Sequence, residues 1–171
     1  YMNSQQHRRL SALWLAAKIS ATDSVVDLGG SGQLLVAWHD PNLVTGFDDL
    51  SGFGKGHRLH APRFIQGDIC DLSVFRDDEF DVAVMTEVLE HVPLPWVAMR
   101  EAGRVAKRVL ITTPCEMRWQ NPIAFRISGH VRYFTLDILA LFLRRAGLDG
   151  TIGLLEFGPG WSFFVAEVAH V

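Results

Sequence analysis

Apolar residues along the chain gather in short runs that alternate with segments of helical periodicity. Short apolar runs that end at glycine, proline or acidic residues are typical of buried β-strands. Because helical segments separate the runs, the pattern predicts an α/β fold with a mainly parallel sheet. Five runs of this kind predict strands at 24–28, 43–47, 63–66, 80–85 and 109–113.

Helical periodicity predicts the elements between the strands. Near the start, Leu10, Leu13, Trp14 and Ala17 have the i, i+3, i+4, i+7 spacing of an amphipathic helix. Toward the end, Thr135 can cap a helix that Gly147 can terminate. The predicted helical segments are 4–19 within an N-terminal element at 1–20, then 33–38, 95–106 and the stretch between Thr135 and Gly147.

The last part of the chain predicts a β-hairpin that closes the sheet. Apolar segments at 151–157 and 161–169 flank the turn at 158–160. This hairpin adds the sixth and seventh strands and makes the last strand antiparallel. The expected architecture is a Rossmann-like, doubly wound α/β sheet of seven strands, mostly parallel with an antiparallel C-terminal strand, in a single domain over 1–171.

Composition narrows the class of protein. Of the 171 residues, 49% are hydrophobic and 20% are charged, which is ordinary for a globular chain. The sequence has no apolar stretch long enough to span a bilayer, no secretory signal pattern and only two cysteines, so we expect a soluble, cytoplasmic protein. The net charge of −3 disfavours nucleic-acid binding, which depends on many phosphate contacts.

Glycine or acidic residues accompany the carboxyl ends of the first four strands. In an open α/β sheet those ends form one crevice, so residues there converge on a single site. The glycine turn after the first strand would let the backbone approach a ligand closely. The converging residues are Asp27 with Gly29 and Gly30, Asp48 with Asp49, Asp68, and Glu87.

Charge distinguishes two classes of nucleotide cofactor at this crevice. A dinucleotide would place its pyrophosphate at the glycine turn, where Asp27 would repel it. S-adenosylmethionine brings a cationic sulfonium and an α-ammonium group, which carboxylates attract. Asp27 and Glu87 then suit its amino-acid end. Asp48 suits the ribose hydroxyls, and Asp68 suits the adenine amino group.

Several sequence strings resemble those of class I S-adenosylmethionine-dependent methyltransferases, in the family's order over about 25–150. The most specific are EVLEHVP at 87–93 and GHVRYFT at 129–135. The chain is most similar to the type 11 branch, which includes quinone-biosynthesis and small-molecule methylating enzymes. The resemblance implies S-adenosylmethionine as cofactor and a small-molecule acceptor. The implied cofactor residues are Gly29, Gly30, Asp48, Asp68, Ile69, Thr86 and Glu87, with Asp49 and Asp27 beside them.

Three features depart from that family's pattern. Ser31 and Gln33 stand where glycines complete the usual Asp-x-Gly-x-Gly-x-Gly loop, so we expect a rearranged or shorter turn. Residues 51–57 replace a helix and should be loop-like. The Pro-Gly-Gly that usually precedes the fifth strand is absent. The first two departures would weaken the hold on the cofactor or leave the pocket open.

Methyl transfer from a sulfonium depends mainly on alignment, because the leaving group is already good. A base is needed only where the acceptor must lose a proton. His91 and His130 are the candidate catalytic residues, although each could equally pack or bond within its loop. Cys115 is interpreted as a small buried hydrophobe. No metal is expected.

A chain of this length leaves no separate substrate domain, so the N-terminal helix and a lid at 114–133 are expected to cover the acceptor. The lid mixes aromatic and cationic side chains, which fits a planar or anionic acceptor, or peripheral contact with a membrane that presents a lipid-linked one. Aromatic residues would also suit a lid that only packs on the core. The candidate substrate residues are Trp119, Arg126, Arg132 and Tyr133.

Two other classes of function stay open. A non-catalytic methyltransferase-like scaffold, or a cofactor-binding partner subunit, would account for the altered glycine loop. A nicotinamide-dependent oxidoreductase is disfavoured by Asp27 and by the absence of Gly-x-Gly-x-x-Gly.

Overall fold

The fold is a single seven-stranded sheet with helices packed on it. The computed structural model describes residues 11–51, 59–115, 129–156 and 162–171. Its strands are β1 (Val25–Leu28), β2 (Val44–Asp48), β3 (Arg63–Gln66), β4 (Phe80–Thr86), β5 (Ala106–Pro114), β6 (Leu148–Glu156) and β7 (Ser162–His170). Two α-helices are α1 (Pro95–Val105) and α2 (Leu136–Ala146), and a short 3₁₀-helix spans Pro41–Leu43.

The strand order is β3-β2-β1-β4-β5-β7-β6. Strands β1 to β5 pair in parallel, whereas β7 is antiparallel to both β5 and β6. The Rossmann-like, mostly parallel sheet with antiparallel C-terminal strands is therefore confirmed. In the part of the chain that is described, no helix has the length and apolar character needed to cross a membrane.

Apolar side chains pack on both faces of the sheet. On one face, α1 and α2 join a buried cluster that contains Met85 of β4. On the opposite face, Leu15 and Leu35 join a cluster that contains Val84. Because successive residues of a strand point to opposite faces, Val84 and Met85 belong to different layers. The sheet is thus the middle of three layers, and its strand ends stay free for a site.

The caps of α2 agree with the sequence prediction. The Thr135 hydroxyl accepts the Ile138 N–H at 3.2 Å. Gly147 ends the helix with φ of 76°, a left-handed conformation that glycine adopts without steric cost. The Arg145 guanidinium stacks 4.0 Å from the centre of the Trp96 ring and so links α2 to α1.

The N-terminal segment is helical over 11–16, but its buried face differs from the predicted one. Leu13 is 68% exposed, whereas Leu15 and Ile19 are buried. The buried positions follow an i, i+4 spacing from Ser11, so the helix is rotated about its axis relative to the expected stripe. Residues 4–10 of the predicted helix lie outside the described residues.

The prediction of a helix at 33–38 is wrong, because the segment forms consecutive turns. The N–H groups of Leu35 and Val36 both bond to the Gly32 carbonyl, at 3.1 and 3.0 Å. Mixed three- and four-residue spacings do not build a regular α-helix. So short a stretch gains too few hydrogen bonds to offset helix nucleation.

Two strands are longer than predicted. β5 begins at Ala106, directly after α1, and includes Pro114 as its last residue. Proline lacks an N–H, but at a strand end this costs no internal ladder bond. β6 begins at Leu148, immediately after the glycine that ends α2.

Candidate functional site

A cleft of about 650 Å³ lies where β1 to β4 end, and its volume is within the range of small-molecule sites. The topology explains its position, since parallel strands bring their carboxyl ends to one edge of the sheet. The turns after four strands contribute to it. The predicted cofactor residues that line the cleft are Gly29, Asp48, Asp49, Asp68, Ile69 and Glu87.

The charge of this cleft is strongly one-sided. Its lining contains the carboxylates of Asp48, Asp49, Asp68 and Glu87 and, among the described residues, no lysine or arginine. Hydrogen bonds from the side chain and backbone of Ser51 lower the pKa of Asp49, so this carboxylate is ionised at neutral pH. Such a lining attracts a cationic group and repels a pyrophosphate.

The turn after β1 requires glycine at two positions. Gly29 has φ of 79°, a left-handed conformation that side chains disfavour. A Cβ atom at Gly29 would also overlap the Val88 side chain, and one at Gly30 would overlap the Asp27 carboxylate. The Gly29 N–H is held by the Phe47 carbonyl at 2.7 Å. The backbone of the turn is therefore tightly packed where Gly29 lines the cleft.

Asp27 lies behind the turn rather than in the cleft. Its side chain is buried, and the carboxylate accepts the Gly32 N–H at 2.8 Å. The position differs from the expectation that Asp27 faces the amino-acid end of a cofactor. Burial raises the pKa of Asp27 to about 6, against the lowering effect of the Gly32 hydrogen bond, and the nearby Asp48 raises it further.

The raised pKa of Asp27 predicts a pH-dependent stability. Because its folded pKa of about 6 exceeds the ordinary value of 3.8, the folded chain binds this proton more tightly than the unfolded chain. The resulting stabilisation is present below the ordinary pKa and is lost as the pH rises to about 6, a change on the order of 3 kcal/mol. Urea unfolding from acid to neutral pH should show this loss in the wild type and not in Asp27→Asn. A difference between the two proteins that is independent of pH would contradict it.

Residues at the ends of β2 and β4 shape the sides of the cleft. Asp48 accepts the Leu50 N–H at 2.6 Å, which orients its carboxylate. Glu87 has φ of 52°, and its carboxylate lies 3.5 Å from the Ser11 hydroxyl of the N-terminal segment. The Thr86 hydroxyl is buried with no hydrogen-bond partner among the described residues, and Thr86 does not line the cleft. The N-terminal segment thus reaches the site, as expected of an element that covers an acceptor.

The two candidate histidines lie beside each other, and one of them lines the cleft. Their ring centres are 4.7 Å apart, and the planes of the two rings are nearly perpendicular. His91 lines the cleft, and its Nδ1 atom is 3.3 Å from the Gly129 carbonyl. The Val131 N–H donates to the Glu90 carbonyl at 2.9 Å and joins the two segments that carry them.

The candidate substrate residues that the structure describes do not line the cleft. Arg132 donates to the Pro93 carbonyl at 2.7 Å and stacks on Phe142, and burial lowers its pKa. Neither Arg132 nor the half-exposed Tyr133 lines the cleft. Trp119 and Arg126 lie in 116–128, outside the described residues. Of the segment 51–57, expected to be loop-like, residues 52–57 lie outside them as well.

Several residues at the cleft were missed by the sequence interpretation. Val88, Val92 and Leu94 supply an apolar wall. Glu90 is almost fully buried between apolar neighbours, and its carboxylate accepts the Thr113 hydroxyl at 3.1 Å. An acidic residue within an apolar run, directly before a histidine, is the signal that could have identified it.

The two cysteines have structural surroundings. Cys115 is buried, in agreement with its interpretation as a small hydrophobe. Cys70 lines the cleft, where burial and the Asp68 charge raise the pKa of its thiol to about 11. A thiol with so high a pKa stays protonated at neutral pH and is a poor nucleophile.

Comparisons with known proteins agree with this fold. The methyltransferase domain family matches residues 26–109, which include the cleft turns after β1, β2, β3 and β4. No curated protein matches the sequence.

Solved structures match almost the whole chain at low identity. A Thermotoga maritima methyltransferase, described as a possible histamine N-methyltransferase, has a TM-score of 0.67 at 18% identity, covering 94% of this chain and 90% of its own. The Burkholderia thailandensis 1,6-didemethyltoxoflavin-N1-methyltransferase, with its substrate and S-adenosylhomocysteine bound, has a TM-score of 0.69 at 19% identity, covering 96% and 78%. Magnesium protoporphyrin IX methyltransferase from Synechocystis, also with S-adenosylhomocysteine bound, has a TM-score of 0.62 at 17% identity, covering 99% of this chain and 89% of its own. At these identities the similarity establishes the fold.

Proposed function

We propose that this chain, whose fold and methyltransferase-domain match are those of class I S-adenosylmethionine-dependent methyltransferases, uses S-adenosylmethionine to methylate a small-molecule acceptor. The reaction would take place in the cleft after β1 to β4. The observation that carries the proposal is the charge of the cleft. Four carboxylate residues line it without a described lysine or arginine, which suits a sulfonium and an ammonium group and opposes a dinucleotide.

The residues present fit the cofactor. We assign Asp48 to the ribose hydroxyls and Asp68 to the adenine amino group, because a carboxylate can accept both kinds of donor. Glu87 is assigned to the α-ammonium group, and Gly29, which lines the cleft without a side chain, lets the cofactor's amino-acid end approach the backbone. Asp27 supports the turn through Gly32 instead of contacting the cofactor.

The proposed chemistry asks little of the protein beyond orientation. When bound, the cofactor supplies an electrophilic methyl group on a good leaving group. The chain's own residues hold the acceptor in line and limit access of water. His91 lies at the cleft and His130 is packed against it, which supports a role for the two imidazoles beside the acceptor.

The apolar residues that line the cleft indicate the class of acceptor. Val88, Val92 and Leu94 form an apolar wall, which favours an acceptor with a planar or aliphatic body. The N-terminal segment contacts the cleft residue Glu87 through Ser11. The proposed lid at 114–133 would complete the cover over the acceptor. Two of the related structures are named for planar heterocyclic substrates, which supports a small organic acceptor. Aromatic, anionic and lipid-linked molecules are the acceptor classes to test first.

A labelled-methyl assay tests the activity. The protein is incubated with methyl-labelled S-adenosylmethionine and fractionated small molecules and lipids from cells. We expect label in a low-mass product and equimolar S-adenosylhomocysteine, and much less of both with the Asp48→Asn variant when the cofactor is kept near the wild-type dissociation constant. Cofactor binding without transfer to any fraction would favour the scaffold, for which the altered glycine loop is the supporting observation.

A further inference from the structure

Three side chains with metal-binding atoms lie close together where His91 lines the cleft. Glu90, His91 and His130 each place one ligand atom within 4.8 Å of those of the other two. Glu90 and His91 are neighbours in the turn after β4, while His130 comes from the segment before α2. We propose that these three residues bind a divalent transition-metal ion beside the acceptor space, in contrast to the sequence-based expectation of no metal.

The backbone fixes both segments that carry the cluster. The His91 N–H donates to the Val88 carbonyl at 3.0 Å and closes the turn after β4. The Val131 N–H donates to the Glu90 carbonyl at 2.9 Å and attaches the second segment to that turn. The two histidines therefore approach each other because of main-chain bonds, and small side-chain rotations would suffice to surround an ion.

The ligand types select the class of metal. Two imidazoles and one carboxylate form a set that zinc, iron, cobalt and manganese sites use. Magnesium and calcium prefer oxygen ligands throughout, so a set with two nitrogen donors disfavours them. Zn²⁺ is the natural probe, and Co²⁺ is its spectroscopic substitute.

Hydrogen bonds of the kind that orient metal ligands are already present. His91 Nδ1 can donate its proton to the Gly129 carbonyl at 3.3 Å, which leaves the lone pair on Nε2. The Thr113 hydroxyl donates to the Glu90 carboxylate at 3.1 Å. Metal-binding histidines and carboxylates commonly have such outer partners, which fix the tautomer and the orientation of the ligand.

Burial makes Glu90 a suitable metal ligand. Glu90 is 1% exposed, and a buried carboxylate is stable where hydrogen bonds or opposite charge compensate it. A divalent ion held by Glu90 and two imidazoles would add such charge at the site itself.

The position of the cluster suggests what the ion would do. His91 and Gly129 line the cleft, so an ion with three protein ligands would turn its open coordination positions toward the acceptor. An oxygen or nitrogen atom of the acceptor could occupy one of them and be oriented there. This role rests on the proposed function, but metal binding itself does not. The two histidines would then be ligands rather than a free base.

Metal binding is measured directly on the chelator-treated, tag-free full-length protein. Zn²⁺ calorimetry and metal analysis after dialysis should give one ion per chain, and Co²⁺ should produce visible absorption bands that Zn²⁺ abolishes. His130→Gln should lower the affinity by about 100-fold, and Thr113→Val, which removes only an outer partner, by about 10-fold. Circular dichroism and thermal melting identify any variant that fails to fold.

His170→Gln is the matched control. This histidine is exposed and pairs with Leu148 at the opposite edge of the sheet, so its loss should leave Zn²⁺ affinity unchanged. No Zn²⁺ binding by the wild type, or equal binding by folded His130→Gln and wild type, would overturn the metal site. S-adenosylmethionine titration without metal separates this result from the proposed function, because a failed metal site would leave cofactor binding intact.

Discussion

Replacing Asp48 with asparagine should lower the affinity for S-adenosylmethionine by about 100-fold, because two hydrogen bonds to a charged acceptor, each contributing about 1.5 kcal/mol or more, would be weakened or lost. The amide oxygen of asparagine can still accept the Leu50 N–H that Asp48 accepts in the structure. The turn should therefore persist while the charge and one acceptor atom disappear. The effect is measured by calorimetric titration, with the melting temperature as a check on folding.

Asp71→Asn is the control for this substitution. Asp71 accepts the N–H of Ser73, two residues ahead, in the same manner as Asp48 accepts that of Leu50, but it does not line the cleft. Its variant should bind the cofactor like the wild type. Equal affinity in Asp48→Asn and Asp71→Asn would refute the ribose assignment of Asp48.

Replacing Gly29 with alanine should both destabilise the fold and weaken the cofactor site. The left-handed φ of 79° costs a non-glycine residue about 1 kcal/mol, and overlap of the new Cβ with Val88 adds about 1–3 kcal/mol. Because Val88 also lines the cleft, its displacement narrows the space beside the turn. We expect a lower urea midpoint and a loss of affinity of at least about 10-fold, the equivalent of about 1.4 kcal/mol.

Two further variants separate strain from overlap at Gly29. In the double variant Gly29→Ala with Val88→Ala, the overlap with the Val88 methyl groups is removed, while the backbone strain and the 2.9 Å approach to the Cβ of residue 88 persist. The double variant should therefore lose less stability than the two single effects added together. Gly153→Ala in β6 is the control, since a Cβ there meets Val165 at an ordinary 3.4 Å. Additive effects of Gly29→Ala and Val88→Ala would show that the two residues are not in the tight contact described.

The fold could be predicted where local signals and packing agree. The caps of α2 at Thr135 and Gly147 are chemical features of single residues, so the sequence locates that helix accurately. Strand β3 is also where the pattern predicts it, at Arg63–Gln66. The segment 33–38 fails because its apolar residues pack on the sheet from successive turns, and periodicity alone does not distinguish this from a short helix.

The candidate site was less predictable in detail than in position. Strand ends identify Asp48, Asp68 and Glu87 as neighbours, because a parallel sheet brings its carboxyl edge together. The direction of Asp27 does not follow from its position in the sequence. It depends on the Gly32 N–H, which only the folded turn brings to the carboxylate.

Glu90 illustrates a different difficulty. Its neighbours Leu89 and Val92 are buried, and a buried acid is stable only with partners that come from elsewhere in the chain. Those partners include Thr113, more than twenty residues away in sequence, and the nearby His130. Long-range proximity of this kind is a property of the fold and cannot be read from spacing.

The central claim is that the acidic cleft binds a cationic nucleoside cofactor, and one calorimetric experiment tests it most directly. The full-length wild-type protein is titrated separately with S-adenosylmethionine, S-adenosylhomocysteine and NAD. We expect one site per chain for the first two, with micromolar dissociation constants, and no measurable heat of binding for NAD. Binding of NAD, or no binding of either adenosyl compound, would contradict it.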